Sequence, residues 1–516
     1  MSQAPTKEFG KWRSFFWPVH GFELRKLLPM FFLFFFINFN YTVLRDTKDA
    51  LIVTAPGSGA EAIPFLKVWG VLPFAIVFML IYSKLSNNMS KQKLFYTTIS
   101  FFIAFFAVFA LFLYPYKDSL HPSVSADWLQ AHLSEGFGGL VALYRNWTYA
   151  LFYIMSELWG SVAISLLFWG FANDITKVSE SKRFYAMFGL GANFAMLFSG
   201  PLIVYFSDIR TKLPAGVDAW GVTLNYMLSF VILSGLIIMG VYYYINKKVL
   251  TDPRFYEPEV KKAKKDKPKL SMKESFLFLA RSPYIGCLAI LVIAYGVAIN
   301  LVEVTWKSQL KLQYPNGNEY NAFMGKFSFL TGLITIVMML FVGGNVIRRF
   351  GWGVGALVTP VVLLITGVGF FSFVIFRDSL TGFIAMLGTT PLMLAVLFGM
   401  AQNIMSKSAK YSLFDPTKEM AYIPLDQESK VKGKAAIDVV GARLGKSGGS
   451  IVQQVLIVGF GSLAAITPII GAILFVIIAA WIIAARNLNK RFVAITSQKE
   501  AESTKSSEPE LAKSST

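Results

Sequence analysis

Residues 153–174 read YIMSELWGSVAISLLFWGFAND, an apolar run that carries a single glutamate, Glu157, and meets its next charge only at Asp174. Crossing a hydrocarbon core of about 30 Å takes roughly 20 helical residues. The stretch therefore predicts a transmembrane helix with one ionisable group inside it. Such a group costs at least about 2.5–3.5 kcal/mol on insertion scales, so it indicates a buried partner or a function.

Similar runs recur along nearly the whole chain of 516 residues, of which 55% are hydrophobic and only 15% are charged. In soluble domains, about a quarter of all residues are charged. Twelve runs of spanning length are predicted, at 28–44, 64–83, 95–116, 147–170, 184–206, 221–245, 283–302, 325–345, 351–376, 383–403, 436–459 and 464–485. The sequence thus predicts an all-α membrane protein.

The formal net charge of +19 is unevenly distributed, because the basic residues concentrate in alternate connections between the runs. The connection after the sixth run is the richest, and smaller sets follow the other even-numbered runs: Lys84, Lys91 and Lys93; Lys177, Lys182 and Arg183; Arg348 and Arg349; and Lys407 to Lys434. The positive-inside rule places these connections, and hence both termini, in the cytoplasm. This placement reflects membrane topology, so we expect no nucleic-acid partner.

Six spans, a long basic loop and six more spans are typical of a major-facilitator-like transporter, in which two helical halves rock around a central site. The predicted parts are an interfacial N-terminal segment at 1–27, a six-helix bundle at 28–246, a basic cytoplasmic loop at 247–282, a second six-helix bundle at 283–486 and a disordered tail at 487–516. We expect a monomer that contacts membrane lipid.

Metal and cofactor chemistry has little support in the sequence. The single cysteine, Cys287, allows neither an intrachain disulfide nor a cysteine cluster, and the three histidines are scattered. The segment GARLGKS at 441–447 is one residue short of P-loop spacing, and no strand is predicted before it. We therefore expect no metal, no cofactor and no ATP-hydrolysing enzyme.

The first span ends in an unusually polar stretch, NYTVLRDTKDALIV at 40–53. One interpretation is that Lys48 snorkels to the membrane surface. The other is that Lys48 faces a central cavity and binds phosphate oxygens, with Asp46 or Asp49 holding it when the site is empty.

Two later spans also carry charges. The seventh ends NLVEVTWKSQLK at 300–311, where Asn300, Glu303 and Lys307 are spaced by three and four and share one helical face. The eleventh opens with Arg443 and Lys446 among five glycines between residues 433 and 449. Those glycines permit either close approach to a ligand or helix packing.

Basic groups that converge from several helices suit a substrate bearing several phosphates, because a multiply charged anion is desolvated only against matching cations. Glutamates among them keep the empty cavity near neutrality. For Glu157, a purely structural interhelical salt bridge remains an alternative.

Four stretches resemble the ATP/ADP translocases of plastids and of obligate intracellular bacteria such as chlamydiae and rickettsiae: NYTVLRDTKDALIV at 40–53, YIMSELWGSVAISLLFWGFANDIT at 153–176, NLVEVTWKSQLK at 300–311 and GARLGKSGGSIVQQ at 441–454. The resemblance covers most of residues 28–485. It implies twelve helices, exchange of cytosolic ATP for ADP, in some members with phosphate, and four critical charges. Matched motif by motif, these charges fall on Lys48, Glu157, Glu303 and Lys446.

The resemblance also implies a location. No transit peptide precedes the first span, which favours the inner membrane of an intracellular bacterium that takes host ATP over a plastid envelope. Secondary substrate-binding candidates around the four charges are Tyr41, Arg45, Asp46, Trp159, Asn173, Asn300, Trp306, Lys307 and Arg443. Tyr41, Trp159 and Trp306 are candidates for an adenine slot, with structural packing as the alternative for each.

Two other functions stay open at this point. A proton-coupled importer of nucleotides or another organic anion would use Glu157 or Glu303 as its proton site, and its uptake would ignore internal ADP. A membrane-embedded receptor or scaffold would carry the charges only as structure, so neutralising Lys446 would change stability alone.

Overall fold

The computed structural model describes residues 19–176, 178–255 and 282–513, and within these ranges the chain is helical without strands. The long helices, in chain order, are α1 Leu24–Val53, α2 Ala62–Asn88, α3 Lys91–Leu113, α4 Trp147–Ile175, α5 Val178–Asp208, α6 Ala219–Val249, α7 Pro283–Gln313, α8 Gly317–Val337, α9 Gly344–Ile375, α10 Pro391–Ala409, α11 Gln427–Phe460 and α12 Leu463–Lys513. The predicted all-α class is confirmed.

Nine helical stretches of the described ranges are long and apolar enough to cross a membrane: α1 to α7, the continuous 59-residue stretch Gly317–Ile375, and α12. A straight helix of that length would measure about 88 Å, nearly three bilayer cores. The stretch is divided at Gly351, whose φ of +81° suits glycine and interrupts the helical backbone. α10 and α11 overlap the tenth and eleventh predicted spans.

Some predicted bounds differ from the structure. α1 begins at Leu24, inside the predicted interfacial segment 1–27, whose residues 1–18 lie outside the described ranges. Most of the predicted basic loop, residues 256–281, lies outside them as well. The predicted disordered tail also differs, because α12 continues as a helix to Lys513. The tail carries several glutamates and lysines, which are good helix formers.

Lys407 was predicted to lie in a connection, and that prediction is wrong. The residue lies within α10, which continues through a π-helical turn at Lys410–Phe414. The apolar run ends at 403 in the sequence because Gln402, Asn403 and Ser406 are polar, yet all three are buried inside the protein.

The pair α5 and α8 forms a close-packed seam between the first six long helices, α1–α6, and the last six, α7–α12, which we call the two halves. A Cβ atom added to Gly325 of α8 would lie 2.7 Å from the carbonyl oxygen of Gly200, and one added to Gly332 would lie 2.8 Å from that of Asn193. Small residues permit such close approach of transmembrane helices. We call this pair the α5–α8 seam.

The pair α2 and α11 is packed differently. α11 contacts residues 62–71 of α2, where Ala62–Phe65 is buried throughout. The remainder of α2, Leu72–Asn88, has no buried residue. α2 and α11 therefore part toward the Asn88 end of α2, on the predicted cytoplasmic side.

Polar contacts join the halves at the opposite end, which we call the closed face. The Asn318 side-chain amide donates to Thr223 Oγ1 at 2.7 Å, and Arg210 pairs with Glu319 at 2.6 Å. Lys311 Nζ donates to the backbone carbonyl of Ser58. The structure is thus closed on the predicted external side and open on the other.

Candidate functional site

Lys48 lies deep in the protein, where α1 meets α4. Its ammonium nitrogen is 2.9 Å from Asp49 Oδ1 and 3.0 Å from Glu157 Oε1. It also lies 3.7 Å from the centre of the Tyr153 ring. With only 2% of the residue exposed, Lys48 does not snorkel to the membrane surface. Of its two predicted holders, Asp49 contacts it, whereas Asp46 pairs with Arg45.

Asp49 connects the two halves. Its second carboxylate oxygen is 2.8 Å from Lys307 Nζ, so α1 of the first half is paired with α7 of the second. Lys307 also binds Glu303 one turn earlier on α7, at 2.9 Å. The spacing of Glu303 and Lys307 in the sequence correctly predicts that they share a face.

Lys67 extends this network to α2. Its Nζ lies 4.0 Å from Glu303 Oε2 and donates to Asn300 Oδ1 at 2.8 Å. Asn300 in turn donates to Ser450 Oγ on α11 at 3.0 Å. We call Glu157, Lys48, Asp49, Lys307, Glu303 and Lys67 the charge ladder. Side chains from α1, α2, α4 and α7 compose it, and Asn300 ties it to α11.

Three lysines and three carboxylates give the charge ladder a formal net charge of zero, as expected for an empty cavity. Its middle is buried, because the side chains of Asp49 and Lys307 are 1% and 2% exposed. Its two glutamates are more open, because the side chains of Glu157 and Glu303 are 33% and 22% exposed. Since an unpaired buried charge is costly, the middle is the fixed part and the two glutamates are the displaceable partners.

A second polar group continues along α1 toward the open side. Tyr41, Arg45 and Lys48 are spaced by four and three, so they share a helical face. Arg45 binds Asp46 at 2.9 Å and Ser328 of α8 at 2.7 Å, and Ser328 also binds Asp46. The Arg45 guanidinium lies 5.8 Å from the Tyr41 ring.

Lys407 of α10 faces this second group. Its Nζ lies 4.8 Å from the Phe327 ring, and it is close enough to Arg45 for the two cations to repel each other. No carboxylate of the described ranges lies within 4.0 Å of Lys407. An anionic ligand beside Arg45 would therefore find a lysine that has no ion-pair partner within 4.0 Å in the described ranges.

Two π-helical turns lie beside the charge ladder. Lys67 belongs to the π-helical turn Leu66–Val71, and another, Gly160–Phe168, begins three residues after Glu157. Such turns occur frequently at functional sites. They also change which side chains face the cavity, so helical periodicity alone misplaces the residues after them.

Three predicted site residues lie away from the charge ladder. Trp159 and Trp306 are both fully buried, and their indole N–H groups donate to backbone carbonyls of Ile37 at 3.1 Å and Val396 at 2.9 Å. Their rings pack between helices and are not available to an adenine. Asn173 is exposed and lies sixteen residues after Glu157, about 24 Å along a helix.

Arg443 and Lys446 lie on α11, but their side chains fall outside what the structure describes. Position 446 is one helical turn before Ser450, which reaches the charge ladder through Asn300. The glycines around it serve helix packing, since Gly445 rests on Gly296 of α7. Of the two interpretations of these glycines, the structure supports packing.

Two site residues are missing from the sequence-based set. Lys67 lies inside the second predicted span, 64–83, and the cost of an intramembrane charge should have identified it. Lys407 was excluded because the apolar run ends just before it. No single-residue signal marks which of these lysines faces the cavity.

Comparison with known proteins identifies the family. The model of a family described as TLC ATP/ADP transporter matches residues 2–492. The chain belongs to this family. It is 64% identical to ADP,ATP carrier protein 1 of Chlamydia muridarum, over 97% of this chain and 95% of that one. The predicted resemblance is thereby confirmed.

Other relatives of this TLC family come from plastids and from rickettsiae. The chain is 55% identical to the chloroplastic ADP,ATP carrier protein 1 of Arabidopsis thaliana, over 93% of this chain and 76% of the relative. It is 44% identical to ADP,ATP carrier protein 1 of Rickettsia typhi, over 97% of this chain and 100% of the relative. All three relatives are named as carriers and not as enzymes.

Solved structures show a similar fold. A bacterial homologue of the iron transporter ferroportin in an inward-facing state covers 92% of this chain and all of its own, with a TM-score of 0.52 and 12% identity. An autoinhibited POT family peptide transporter gives the same TM-score at 11% identity, over 91% of this chain and 97% of its own. These likenesses confirm the predicted major-facilitator-like fold.

Proposed function

We propose that this chain is an antiporter that exchanges ATP for ADP by alternating access around the charge ladder. The observation that carries the proposal is the ladder itself: three lysines and three carboxylates meet where the two halves join. The relatives, 44–64% identical, are named ADP,ATP carriers. Lysines in a narrow crevice suit the phosphate chain of a nucleotide.

Nucleotide phosphates displace glutamates from lysines in this mechanism. Glu157 and Glu303 are partly exposed, so phosphate oxygens reach Lys48 and Lys67 by taking their places. Asp49 stays buried between Lys48 and Lys307 and keeps both ammonium groups aimed at the cavity. Charge-assisted contacts of this kind are about twice as strong as neutral hydrogen bonds.

The same pairing accounts for exchange. Opening the closed face separates α1 from α7 and breaks the Asp49–Lys307 pair, so each of these two buried charges loses one of its two partners at low dielectric. A bound nucleotide offers the lysine new anionic partners and so lowers the cost of this step. Reorientation is then fast when the site is loaded and slow when it is empty, which makes transport an exchange.

Further residues complete the proposed site. Tyr41 is partly exposed beside Arg45 and is our candidate for stacking on the base, since the two tryptophans are committed to packing. Lys446 is proposed as a further cation from α11, one turn before Ser450. Arg443, three positions earlier, stays a secondary candidate.

We also propose the finer architecture and setting. Two six-helix bundles, 28–246 and 283–486, cross the membrane twelve times with both termini in the cytoplasm, which the alternate basic connections support. One chain supplies every member of the charge ladder, so a monomer suffices. The chlamydial and rickettsial relatives support the inner membrane of an intracellular bacterium that imports host ATP. Phosphate leaving with ADP would balance the extra charge of ATP.

The test follows labelled ATP uptake into proteoliposomes with internal ADP supplied or absent. The variant is Lys446→Ala, and the matched control is Lys430→Ala, sixteen residues earlier on the same helix. We expect ATP uptake by the wild-type protein to require internal ADP. The Lys446→Ala variant should lose this uptake, and the Lys430→Ala control should keep it. Thermal unfolding in detergent verifies that both variants are folded.

Other results would contradict the proposal. Uptake that ignores internal ADP and collapses with an uncoupler would indicate a proton-coupled importer. No uptake under any condition, with stability as the only property that Lys446→Ala changes, would indicate a structural role for these charges.

A further inference from the structure

A lysine on the lipid-facing surface of α8 is not explained by nucleotide transport. Lys326 is exposed and lies nine residues after Gly317, about 13 Å along the helix from the closed face. It forms no ion pair within 4.0 Å with any carboxylate of the described residues. Charges at such positions are rare in transmembrane helices and indicate a function by default.

The neighbours of Lys326 show that it faces lipid and not the central cavity. Leu333 and Val337 follow it at seven and eleven positions on the same helical face, and they are 42% and 45% exposed. Ser328, which binds Arg45 inside the protein, is two residues away and so points about 200° round the helix. Lys326 therefore belongs to the outer surface of the bundle.

Lys326 lines a groove of about 660 Å³ beside the α5–α8 seam. This is within the range of cavities that hold a drug-sized ligand. One wall comes from α5, with Val204 and Tyr205, and the other from α8, with Leu330. The groove is thus mainly apolar and is built from both halves of the transporter.

Three charged groups line the groove. Lys212 and Asp208 line the groove together with Lys326. Two lysines against one aspartate leave a formal charge of +1. An apolar channel with a cationic mouth at the membrane surface matches a lipid that has one negative charge on its headgroup and acyl chains below it.

We propose that this groove binds one anionic phospholipid, with its phosphate between Lys326 and Lys212 and an acyl chain along Val204 and Leu330. The wall residues belong to different halves, so a rotation of the halves about the α5–α8 seam changes the shape of the groove. The lipid therefore binds preferentially to the state that is closed at this face and stabilises it. This binding site is separate from the charge ladder and does not depend on the nucleotide.

The direct test is native mass spectrometry of the purified full chain titrated with phosphatidylglycerol or phosphatidylcholine. We expect one tightly retained phosphatidylglycerol, and a roughly tenfold loss of its affinity in Lys326→Gln, the size expected for one charge-assisted hydrogen bond. Lys326→Arg should keep the lipid, and Val204→Trp should lose it by filling the groove. The matched control is Arg377→Gln, which removes another exposed cation on the predicted external side.

Three outcomes would overturn the proposal. The first is that the wild-type protein and Lys326→Gln retain phosphatidylglycerol equally. The second is that Arg377→Gln loses as much affinity for this lipid as Lys326→Gln does. The third is that inorganic phosphate at the same concentration displaces the lipid. Because retention is measured without transport, a failure here leaves the nucleotide proposal untouched.

A second readout addresses the preferred state. The protein for this readout carries Thr54→Cys, at the closed face, in a Cys287→Ala background. Its maleimide labelling should be slower in phosphatidylglycerol than in phosphatidylcholine when Lys326 is present, and equal in both lipids for Lys326→Gln. Equal labelling in both lipids with Lys326 present would contradict the proposal that the lipid prefers the state closed at this face.

Discussion

The two helix pairs that join the halves are built on opposite principles. The α5–α8 seam brings backbones together through Gly200, Gly325 and Gly332, with no ionisable side chain among these contacts. α1 and α7, in contrast, meet through the charge ladder, where Asp49 pairs with Lys307 at 2.8 Å. The seam is held by close packing, which depends on shape. The α1–α7 pair is held by ion pairs, which a charged ligand can replace.

This difference assigns different tasks to the two sides. Close-packed backbones tolerate little change of distance, so the seam suits a pivot. Ion pairs whose ends are partly exposed exchange partners at modest cost, so the charge ladder suits a switch that senses substrate. The following predictions compare the two sides, from the largest expected effect to the smallest.

The largest effect is expected from Lys307→Gln in the charge ladder. It leaves Asp49 with Lys48 and Glu303 with Lys67 at 4.0 Å, and it makes the ladder net negative. A negative site repels nucleotides, so kcat/KM for ATP exchange should fall by roughly a hundredfold, which corresponds to about 2.7 kcal/mol. Initial rates in proteoliposomes measure this change.

The control for that variant is Lys84→Gln, which removes an exposed lysine from the part of α2 without buried residues. Equal exchange kinetics for the two variants would remove the charge ladder from the transport mechanism.

A smaller effect is expected at the seam from Gly325→Ala. The new Cβ would lie 2.7 Å from the Gly200 carbonyl oxygen, so the helices must move apart. Overpacking of this kind costs about 1–3 kcal/mol, and the apparent Tm in detergent should drop. Gly240→Ala is the matched control, because no atom lies within 4 Å of the added Cβ. If both substitutions left Tm unchanged, the seam would not be close-packed.

The smallest effect is expected at the rim of the closed face from Arg210→Gln. Arg210 and Glu319 join the halves but are each about one-third exposed, with side chains at 31% and 33%. Exposed pairs are worth about 0.2–1 kcal/mol, so the population open at this face should rise by at most about fivefold. Faster maleimide labelling of Thr54→Cys reports this shift.

Arg145→Gln serves as its control, since Arg145 pairs with Asp127 inside one half. Labelling that rises equally in both variants would show that the Arg210–Glu319 pair has no special role in closure.

The sequence singles out polar residues more readily than it shows how they pair. Glu157 and Asn300 are candidates because each places polarity inside an apolar run, where it is costly, and Lys48, Glu303 and Lys307 are candidates because they stand at the end of one. The same cost does not reveal partners, so the bridge from Asp49 to Lys307 between halves needed the structure.

Other features could not be predicted for physical reasons. The sequence around a tryptophan in an apolar run does not indicate whether its indole N–H donates to a backbone carbonyl, as the indoles of Trp159 and Trp306 do. The π-helical turn Gly160–Phe168 shifts the helical phase after Glu157, and no residue pattern marks it. The end of α10 was placed too early because buried polar residues resemble a loop.

The central claim is that transport requires the closed face to open. An added Cβ at residue 317 would lie 3.1 Å from Thr54 Oγ1, so cysteines at the two positions are within disulfide reach. The decisive measurement is ATP/ADP exchange by Thr54→Cys/Gly317→Cys in a Cys287→Ala background, before and after oxidation. We predict that the verified disulfide stops exchange and that a reductant restores it, with each single-cysteine variant unaffected. Undiminished exchange by fully cross-linked protein would contradict alternating access at this face.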